Sequence, residues 1–356
     1  MSDLVSAWAE RIRGAAASGT PLCIEGGGSK RFVGREAHGE VLNVAENSGI
    51  VSYEPTELVV TARGGTPLAE LEAVLAEQNQ FLAFEPPHFG TGATLAGCVA
   101  AGLSGPRRAS AGAVRDFMLG VKIVDGRGEV MSFGGQVMKN VAGYDVSRLI
   151  AGSLGTLGVI LEVSLKVLPR PVAEQTLRFA LDEARAIDQL NEWGGQPLPV
   201  SASAWEDGVL TLRLSGAEAA VRAACARLGG ETLGEQTAAA FWQGLREQQC
   251  DYFADGAESP LWRLSLPSVA EPLQLAGTQL IEWGGAQRWL CSDAPAEAIR
   301  ARAAALGGHA TLFRGGDRKS EVFTPLDAPL LTIHRRLKAA FDPAGILNPG
   351  RLYQGI

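Results

Sequence analysis

The sequence predicts an α+β protein of two domains, on three observations. The chain has 356 residues, 46% of them hydrophobic, and single cores stop growing at roughly 250–300 residues. Residues 1–171 set short β-rich runs between glycine-rich turns. Beyond 172, strand-like runs alternate with Ala/Arg/Glu-rich helical stretches, and Pro169-Arg170-Pro171 punctuates the change.

In chain order, residues 3–18 place Leu4, Val5, Trp8, Ile12 and Ala16 on one side at helical spacing and stop at Gly19, which reads as a surface helix. Pro21-Leu22-Cys23-Ile24 is a short strand running into Gly26-Gly27-Gly28-Ser29-Lys30. A β-rich run over 58–62 precedes Gly64-Gly65-Thr66-Pro67. Thr66 as N-cap, Pro67 at the first helical position and Glu70 in the first turn then open a helix over 68–78. Residues 85–113 are dominated by Gly, Ala, Ser and Pro. They are either plain loop or a close-packed, ligand-contacting segment, and a short apolar helix around Leu95, Cys98, Val99, Ala100 and Ala101 favours the second reading.

A hairpin is expected over 117–133, turning at Asp125-Gly126-Arg127-Gly128. A helix over 145–150 stops at Gly152, and an alternating strand over 159–167 ends at Pro169. In the second half, strands at 176–179, 209–214, 262–266 and 287–291 and helices at 181–192, 217–228 and 294–306 suit a sheet with helices on one face. A last helix, 327–341, closes at Asp342-Pro343.

The net charge is −7 with both signs scattered, and no Lys/Arg run is present to track phosphates, so no nucleic-acid partner is expected. Five cysteines, at 23, 98, 225, 250 and 291, form no CxxC pair. They read as buried or incidental thiols, with no metal or iron–sulfur site held by this chain. No signal-peptide core and no run of about 18 apolar residues occurs, so the expectation is a cytoplasmic chain without a transmembrane segment. Peripheral docking at the inner membrane face through partners stays open.

Three glycine clusters can carry chemistry. Consecutive glycines at 26–28 let amide N–H groups point into one concavity and hold phosphate oxygens, with Ser29 adding a hydroxyl and Lys30 a cation. This is neither GxGxxG nor a P-loop, and by itself it is either an anion site or a tight turn. Gly90-Thr91-Gly92-Ala93-Thr94-Leu95-Ala96-Gly97 adds amides and two hydroxyls beside a helix N-terminus, favourable for a pyrophosphate. Gly152-Ser153-Leu154-Gly155-Thr156-Leu157-Gly158 leads into the last strand of the first half. Together the three fit a large ligand of planar rings and phosphates threaded between backbone segments. A purely structural origin is the alternative.

Residues 21–28, the block 92–97 and Ala113-Val114-Arg115-Asp116 together resemble the PCMH-type FAD-binding domain of the vanillyl-alcohol-oxidase flavoproteins. Lys139-Asn140-Val141-Ala142-Gly143-Tyr144-Asp145, with the stretch 149–160, resembles the bacterial glycolate oxidase and D-lactate dehydrogenase group, and a FAD-binding subunit within it most closely. Residues 341–351, ending Asn348-Pro349-Gly350-Arg351, are similar to the closing motif of that family. The resemblance is specific over 1–171, returns at 309–356 and is vague between.

It implies a PCMH-type FAD-binding domain at 1–171, an α+β cap domain at 172–308 and a C-terminal segment, 309–356, returning to the first domain. It implies that Gly26, Gly27, Gly28 and Ser29 wrap the pyrophosphate, and that Thr91, Gly92, Ala93, Thr94, Gly97 and Gly102 line the phosphate and ribityl region. Arg115 and Asp116 would precede the strand supporting the flavin, Gly155, Gly158, Val159 and Ile160 would sit at its backbone contacts, and Asn348 and Arg351 would bring back the tail. Members that attach FAD covalently use a histidine in the first glycine loop. Here Lys30 follows Ser29 and no histidine is present there, so non-covalent FAD is expected.

Oxidising a 2-hydroxyacid needs a base for the hydroxyl proton and a cation for the carboxylate beside the flavin. Catalytic members of the family supply a His-x-Gly-Asp-Gly-Asn-x-His motif in the second domain. This chain has four histidines, 38, 88, 309 and 334, and Gly307-Gly308-His309-Ala310 is the nearest remnant. His88 reads as a packing or turn-stabilising residue, with a group near the flavin as the alternative, and His334 as solvated or half-buried, with a base as the alternative. Arg314, Arg318, Arg335 and Arg336 are either carboxylate ligands or charged faces. No catalytic residue and no metal is assigned. The reading implied is a FAD-binding subunit of a glycolate (2-hydroxyacid) oxidase complex, partnered by a second homologous flavoprotein subunit and an iron–sulfur subunit. An autonomous FAD-dependent hydroxyacid or alcohol oxidoreductase and a non-catalytic flavin scaffold are the alternatives.

Overall fold

The computed structural model describes residues 3–135, 144–256 and 259–356. Helix α1 (Asp3–Ser18) buries Val5, Trp8, Ala9, Ile12 and Ala15 against the parallel pair β1 (Leu22–Glu25) and β2 (Glu40–Asn43). Then follow β3 (Ile50–Glu54), β4 (Val59–Arg63), α2 (Leu68–Glu77), the two-residue β5 (Gln80–Phe81), α3 (Leu95–Ala101) and two single turns, α4 (Arg108–Ala111) and α5 (Val114–Phe117). The expected hairpin is β6 (Met118–Val124) and β7 (Val130–Gly134); α6 (Val146–Ile150), β8 (Val159–Lys166) and β9 (Leu168–Pro169) complete the half.

Five of these strands form an antiparallel sheet ordered β3-β4-β8-β6-β7. Leucines 68, 71 and 75 of α2 and Leu95 and Val99 of α3 pack on one of its faces. Alternation sends Val124, Val159 and Leu161 to the other side, into the α1 core. Thr66 is not the α2 N-cap. Pro67 holds that position, and the Thr66 hydroxyl instead joins the Gly49 amide (3.0 Å) and carbonyl (3.2 Å), while its carbonyl accepts the Leu95 amide (2.9 Å). Tertiary partners outcompete the local cap here.

The second half runs β10 (Ala173–Ala180), α7 (Glu183–Gly194), β11 (Val200–Glu206), β12 (Val209–Gly216), α8 (Glu218–Leu228), β13 (Glu231–Thr232), α9 (Glu235–Glu247) and α10 (Asp251–Asp255). It continues through β14 (Leu261–Ser265), β15 (Thr278–Glu282), β16 (Gln287–Cys291), α11 (Ala296–Ala305) and β17 (His309–Arg314). Its eight strands form one antiparallel sheet ordered β13-β10-β12-β11-β15-β16-β14-β17, so His309–Arg314, at the start of the segment expected to return, is an edge strand here.

The three expected helices α7, α8 and α11 share one face of this sheet. The sequence missed α9 and α10. Trp242, Leu245, Tyr252 and Phe253 from them lie on the opposite face, where Trp289 and Phe313 meet Val33, Phe32, Phe89 and Leu103 of the first half. Helices therefore occupy both faces, because the inner face is filled jointly by two helices and the first half.

The chain then crosses back through α12 (Ala328–Phe341). Buried Lys338 donates to Asp342 (2.7 Å) and to the carbonyls of Thr156 (2.8 Å) and Leu347 (2.6 Å), and Leu347 forms a parallel bridge with Leu22 of β1. Three hydrogen bonds offset the burial of that ammonium, which pushes its pKa down.

Candidate functional site

A cleft open to solvent lies where the β1 loop, α3 and the 152–158 loop converge. Ile24, Val44, Ala96, Ala100 and Ile160 supply apolar wall, and Lys30, Arg31 and Arg351 supply positive charge at its edge.

The first glycine loop is the most open of the three to a ligand. The amides of Gly26 to Lys30 donate no hydrogen bond among the described residues, although all five residues line the cleft. Satisfied elsewhere in folds, such groups need a partner, and an anion is one. Gly27 is pressed so closely to the second loop that a Cβ there would sit 1.4 Å from the Gly92 carbonyl oxygen. A Cβ on Gly26 would sit 2.6 Å from the Thr94 hydroxyl.

The second loop behaves differently from the expectation of a free helix N-terminus. Leu95 and Ala96 donate their amides to the carbonyls of Thr66 and Gly64 (2.9 and 2.8 Å), and Gly97 donates to the Thr94 hydroxyl (3.2 Å). These first-turn amides of α3 are spent on the fold. The third loop is tied to α3 by Gly152 to Val99 (2.9 Å) and Leu154 to Ala100 (2.9 Å), which sets Gly155 and Gly158 into the cleft wall.

Of the expected residues, Gly26, Gly27, Gly28, Ser29, Thr94, Gly97, Gly155, Gly158, Ile160, Asn348 and Arg351 line the cleft. The others stand elsewhere. Thr91 is exposed, Gly92 backs onto Gly27, and Ala93 is buried with its carbonyl accepting the Leu68 amide (2.9 Å). Gly102 is the left-handed C-cap of α3 (φ 67°), where a Cβ would meet Gly152 at 2.8 Å. Val159 points into the α1 core. Arg115 and Asp116 are exposed on α5, and Asp116 caps the turn by accepting the Ala113 amide (2.8 Å). The stretch 139–143 of the family-like segment lies outside the described residues.

Sequence reasoning missed Ala96 and Ala100 as wall residues. Their i, i+4 spacing on a small-residue helix was the available signal. Lys30 lines the cleft and donates to the His88 carbonyl (3.1 Å); burial lowers its pKa, partly offset by Cys98 and Glu247. His88 itself faces Glu72 (3.1 Å), and His334 lies edge-on to Tyr353 with ring centroids 5.9 Å apart. The four arginines weighed as carboxylate ligands are not gathered. Arg314 covers the Phe32 ring, Arg318 is bonded to the Gly34 carbonyl, and Arg335 and Arg336 are exposed.

Asn348 joins the parts. Its Oδ1 accepts the Ile24 amide (2.7 Å) and its Nδ2 donates to the Leu154 carbonyl (2.6 Å), so one tail side chain bridges the first and third loops. Arg351 continues the clamp by donating to the Arg31 carbonyl (2.7 Å). Asn348→Ala strands both groups, at about 1–3 kcal/mol for each buried partner left unpaired. The expected result is FAD affinity reduced by about tenfold or more, read by fluorescence titration; unchanged affinity would show that the bridge does not shape the cleft.

Residues 5–134 match the family described as FAD binding domain, and residues 296–352 match the family described as FAD linked oxidases, C-terminal domain. The chain is 50% identical over 351 residues to glycolate oxidase subunit GlcE of Escherichia coli (strain K12), covering 99% of this chain and 98% of that protein. It is 32% identical over 161 residues to glycolate oxidase subunit GlcD of Bacillus subtilis (strain 168), covering 45% of this chain and 32% of that one. A structure of alkyldihydroxyacetonephosphate synthase superposes with a TM-score of 0.64 at 15% identity, over 97% of this chain and 75% of the other, a likeness of fold.

Proposed function

The chain belongs to the GlcE family of FAD-linked oxidase subunits, and on that premise we propose that it is the FAD-binding subunit of a glycolate oxidase complex, taking part in the oxidation of glycolate to glyoxylate. It has the two-part α+β PCMH-type fold, binds FAD non-covalently and is a FAD-dependent oxidoreductase as a subunit. The observation that carries the reading is the run of undonated amides from Gly26 to Lys30 along a cleft whose other walls are glycine, alanine and aliphatic side chains.

Bound FAD supplies the two-electron acceptor for a CH–OH carbon. The chain's own part is to hold it. The loop amides would hold the pyrophosphate, Ile24, Val44, Ala96 and Ala100 would offer apolar wall to the rings, and Asn348 with Arg351 fixes the tail across the loops. Our proposed site comprises the expected residues that line this cleft, with Lys30 added. Thr91, Gly92, Ala93 and Gly102 support its walls from behind. The proposed domains are a FAD-binding unit at 1–171, a cap from 172 that takes in β17 (His309–Arg314), and the tail beyond it, which returns to the first unit.

Partners follow from the same reading: a second homologous flavoprotein subunit and an iron–sulfur subunit, with the substrate chemistry largely in the partner. Support comes from the missing His-x-Gly-Asp-Gly-Asn-x-His motif and from the engagement of His88 and His334 outside the cleft. Among the described residues no helix is long and apolar enough to cross a membrane; peripheral docking at the inner membrane face through the partners is part of the proposal.

The test is the visible spectrum of the purified chain, then anaerobic glycolate. A yellow protein that bleaches only with the other subunits present is expected. Bleaching by the chain alone would move the substrate chemistry into it, and a colourless protein that takes up no added FAD would overturn the assignment.

A further inference from the structure

Lys30 ends the first glycine loop, lines the FAD cleft and reaches toward the seam between the halves. Its ammonium has three N–H donors and two protein acceptors, the His88 carbonyl (3.1 Å) and the Ser29 hydroxyl (3.4 Å), with the Phe89 ring centroid 5.7 Å away. The third N–H has no acceptor, and the ammonium no ion pair, among the described residues. Burial lowers its pKa, against an opposing pull from Cys98 and Glu247. The Cys98 thiol is itself pushed up to about 12 by burial and is neutral, which leaves the Glu247 carboxylate to favour the charged ammonium.

Glu247 comes from the other half, as the last residue of α9, and its side chain is 9% exposed. Its Oε2 accepts the amides of His88 (3.0 Å) and Phe89 (2.9 Å), and its Oε1 lies 2.8 Å from the Arg246 Nε. His88 is therefore held from both sides: its amide by α9 and its carbonyl by Lys30. The segment needs holding, because Phe89 takes φ 53°, a left-handed conformation that is costly for a bulky residue. Two further contacts tie α2 into the same network, since Glu72 lies 3.1 Å from the His88 Nε2 and 3.6 Å from the Arg246 Nη1.

We propose that Glu247 is a positioning residue: through His88 it sets the third donor of Lys30 toward an anionic oxygen of FAD, so that seating α9 and binding the flavin reinforce one another. The inference rests on the FAD reading and adds to it a contribution from the second half of the chain. The ammonium and the undonated amides from Gly26 to Lys30 share one cleft, so an anion there meets both. Without Glu247 the amides of His88 and Phe89 lose their acceptor, the segment is free to leave its strained shape, and the His88 carbonyl no longer fixes Lys30. Coupling of this kind is reciprocal, so FAD in turn favours the seated α9.

The test is a double-mutant cycle on the full chain, stripped of flavin and titrated with FAD. Lys30→Met is expected to weaken FAD by about tenfold or more, as for a lost charge-assisted hydrogen bond. Glu247→Ala is expected to weaken it by about fivefold in the parent, and by less than about twofold when residue 30 is already methionine. Glu247→Gln keeps an acceptor for both amides and is expected to restore most of the loss. Should Glu247→Ala fail to fold, Glu247→Asp, which draws the carboxylate back from the amides, is read by the same criterion. The second readout is trace acetylation of lysines, followed by peptide mass spectrometry. FAD is expected to protect Lys30, and Glu247→Ala to speed its labelling relative to Lys122 and Lys166. The same fold-loss from Glu247→Ala in both Lys30 backgrounds would overturn the positioning role, and so would Lys30 labelling that ignores FAD. A chain that binds FAD with an additive cycle sinks this inference alone, whereas a parent chain that takes up no FAD sinks the FAD reading and this inference with it.

Discussion

Gly27→Ala is expected to give a folded chain that purifies with little or no flavin. The new Cβ would sit 1.4 Å from the Gly92 carbonyl oxygen and 2.5 Å from its carbon. Both are backbone atoms, so no rotamer change relieves the clash, and one loop must withdraw from the other. That movement falls on the amides from Gly26 to Lys30, the part of the cleft with undonated N–H groups. Overpacking a tight contact costs about 1–3 kcal/mol. Displacing a loop that also holds the ligand adds lost contacts, so FAD affinity should drop by about 100-fold, or ~2.7 kcal/mol.

The measurement is flavin-to-protein ratio by absorbance, followed by titration of the stripped protein with FAD. Gly14→Ala is the control, because nothing lies within 4 Å of a Cβ there and it sits within α1; alanine is expected to be neutral or mildly stabilising at such a position. Gly27→Ala retaining parental FAD content would mean that the loop contact has no part in binding.

The contrast between the glycine loops shows how far the sequence could be read. Composition and spacing located all three turns, because glycine is needed wherever backbones touch, and the cleft lies where they meet. Which loop keeps its amides free was not legible. That depends on Thr66 and Gly64 offering carbonyls to α3, a tertiary fact with no local signature. Arg115 and Asp116 carry the family pattern, yet their side chains serve a surface turn rather than the cleft.

The second sheet was legible in outline. Its helices α7, α8 and α11 were legible from their Ala/Arg/Glu-rich runs; α9, which is amphipathic, was not read as a helix, and it fills the seam between the halves and buries Trp242 there.

Glu85→Gln is expected to cause the largest loss of stability, about 3–5 kcal/mol, the range for breaking a buried ion pair by removing one partner. Glu85 lies after β5 in the first half and accepts Arg213 of β12 through both carboxylate oxygens (2.8 and 3.0 Å), the Arg107 Nε (3.2 Å) and the Arg107 amide (2.8 Å). Arg107 and Arg213 are only 8% and 4% exposed, so losing the charge leaves two buried guanidinium groups sharing Glu174 alone. Glutamine keeps the shape, so the loss isolates the charge.

The pH dependence has a definite sign. Burial alone would raise the Glu85 pKa, but Arg213 and Arg107 outweigh it and hold the pKa below its ordinary 4.5. A depressed carboxyl contributes its stability in full above pH 4.5 and loses it as pH falls through the folded value. Urea unfolding at several pH values should therefore show a wide gap between parent and Glu85→Gln at neutral pH that narrows in acid below 4.5. A gap that stays constant with pH, or one under about 1 kcal/mol, the level of a surface pair, would reduce Glu85 to a bystander. Because Glu85 ties β12 to the first half, its loss should also loosen the seam between the two halves.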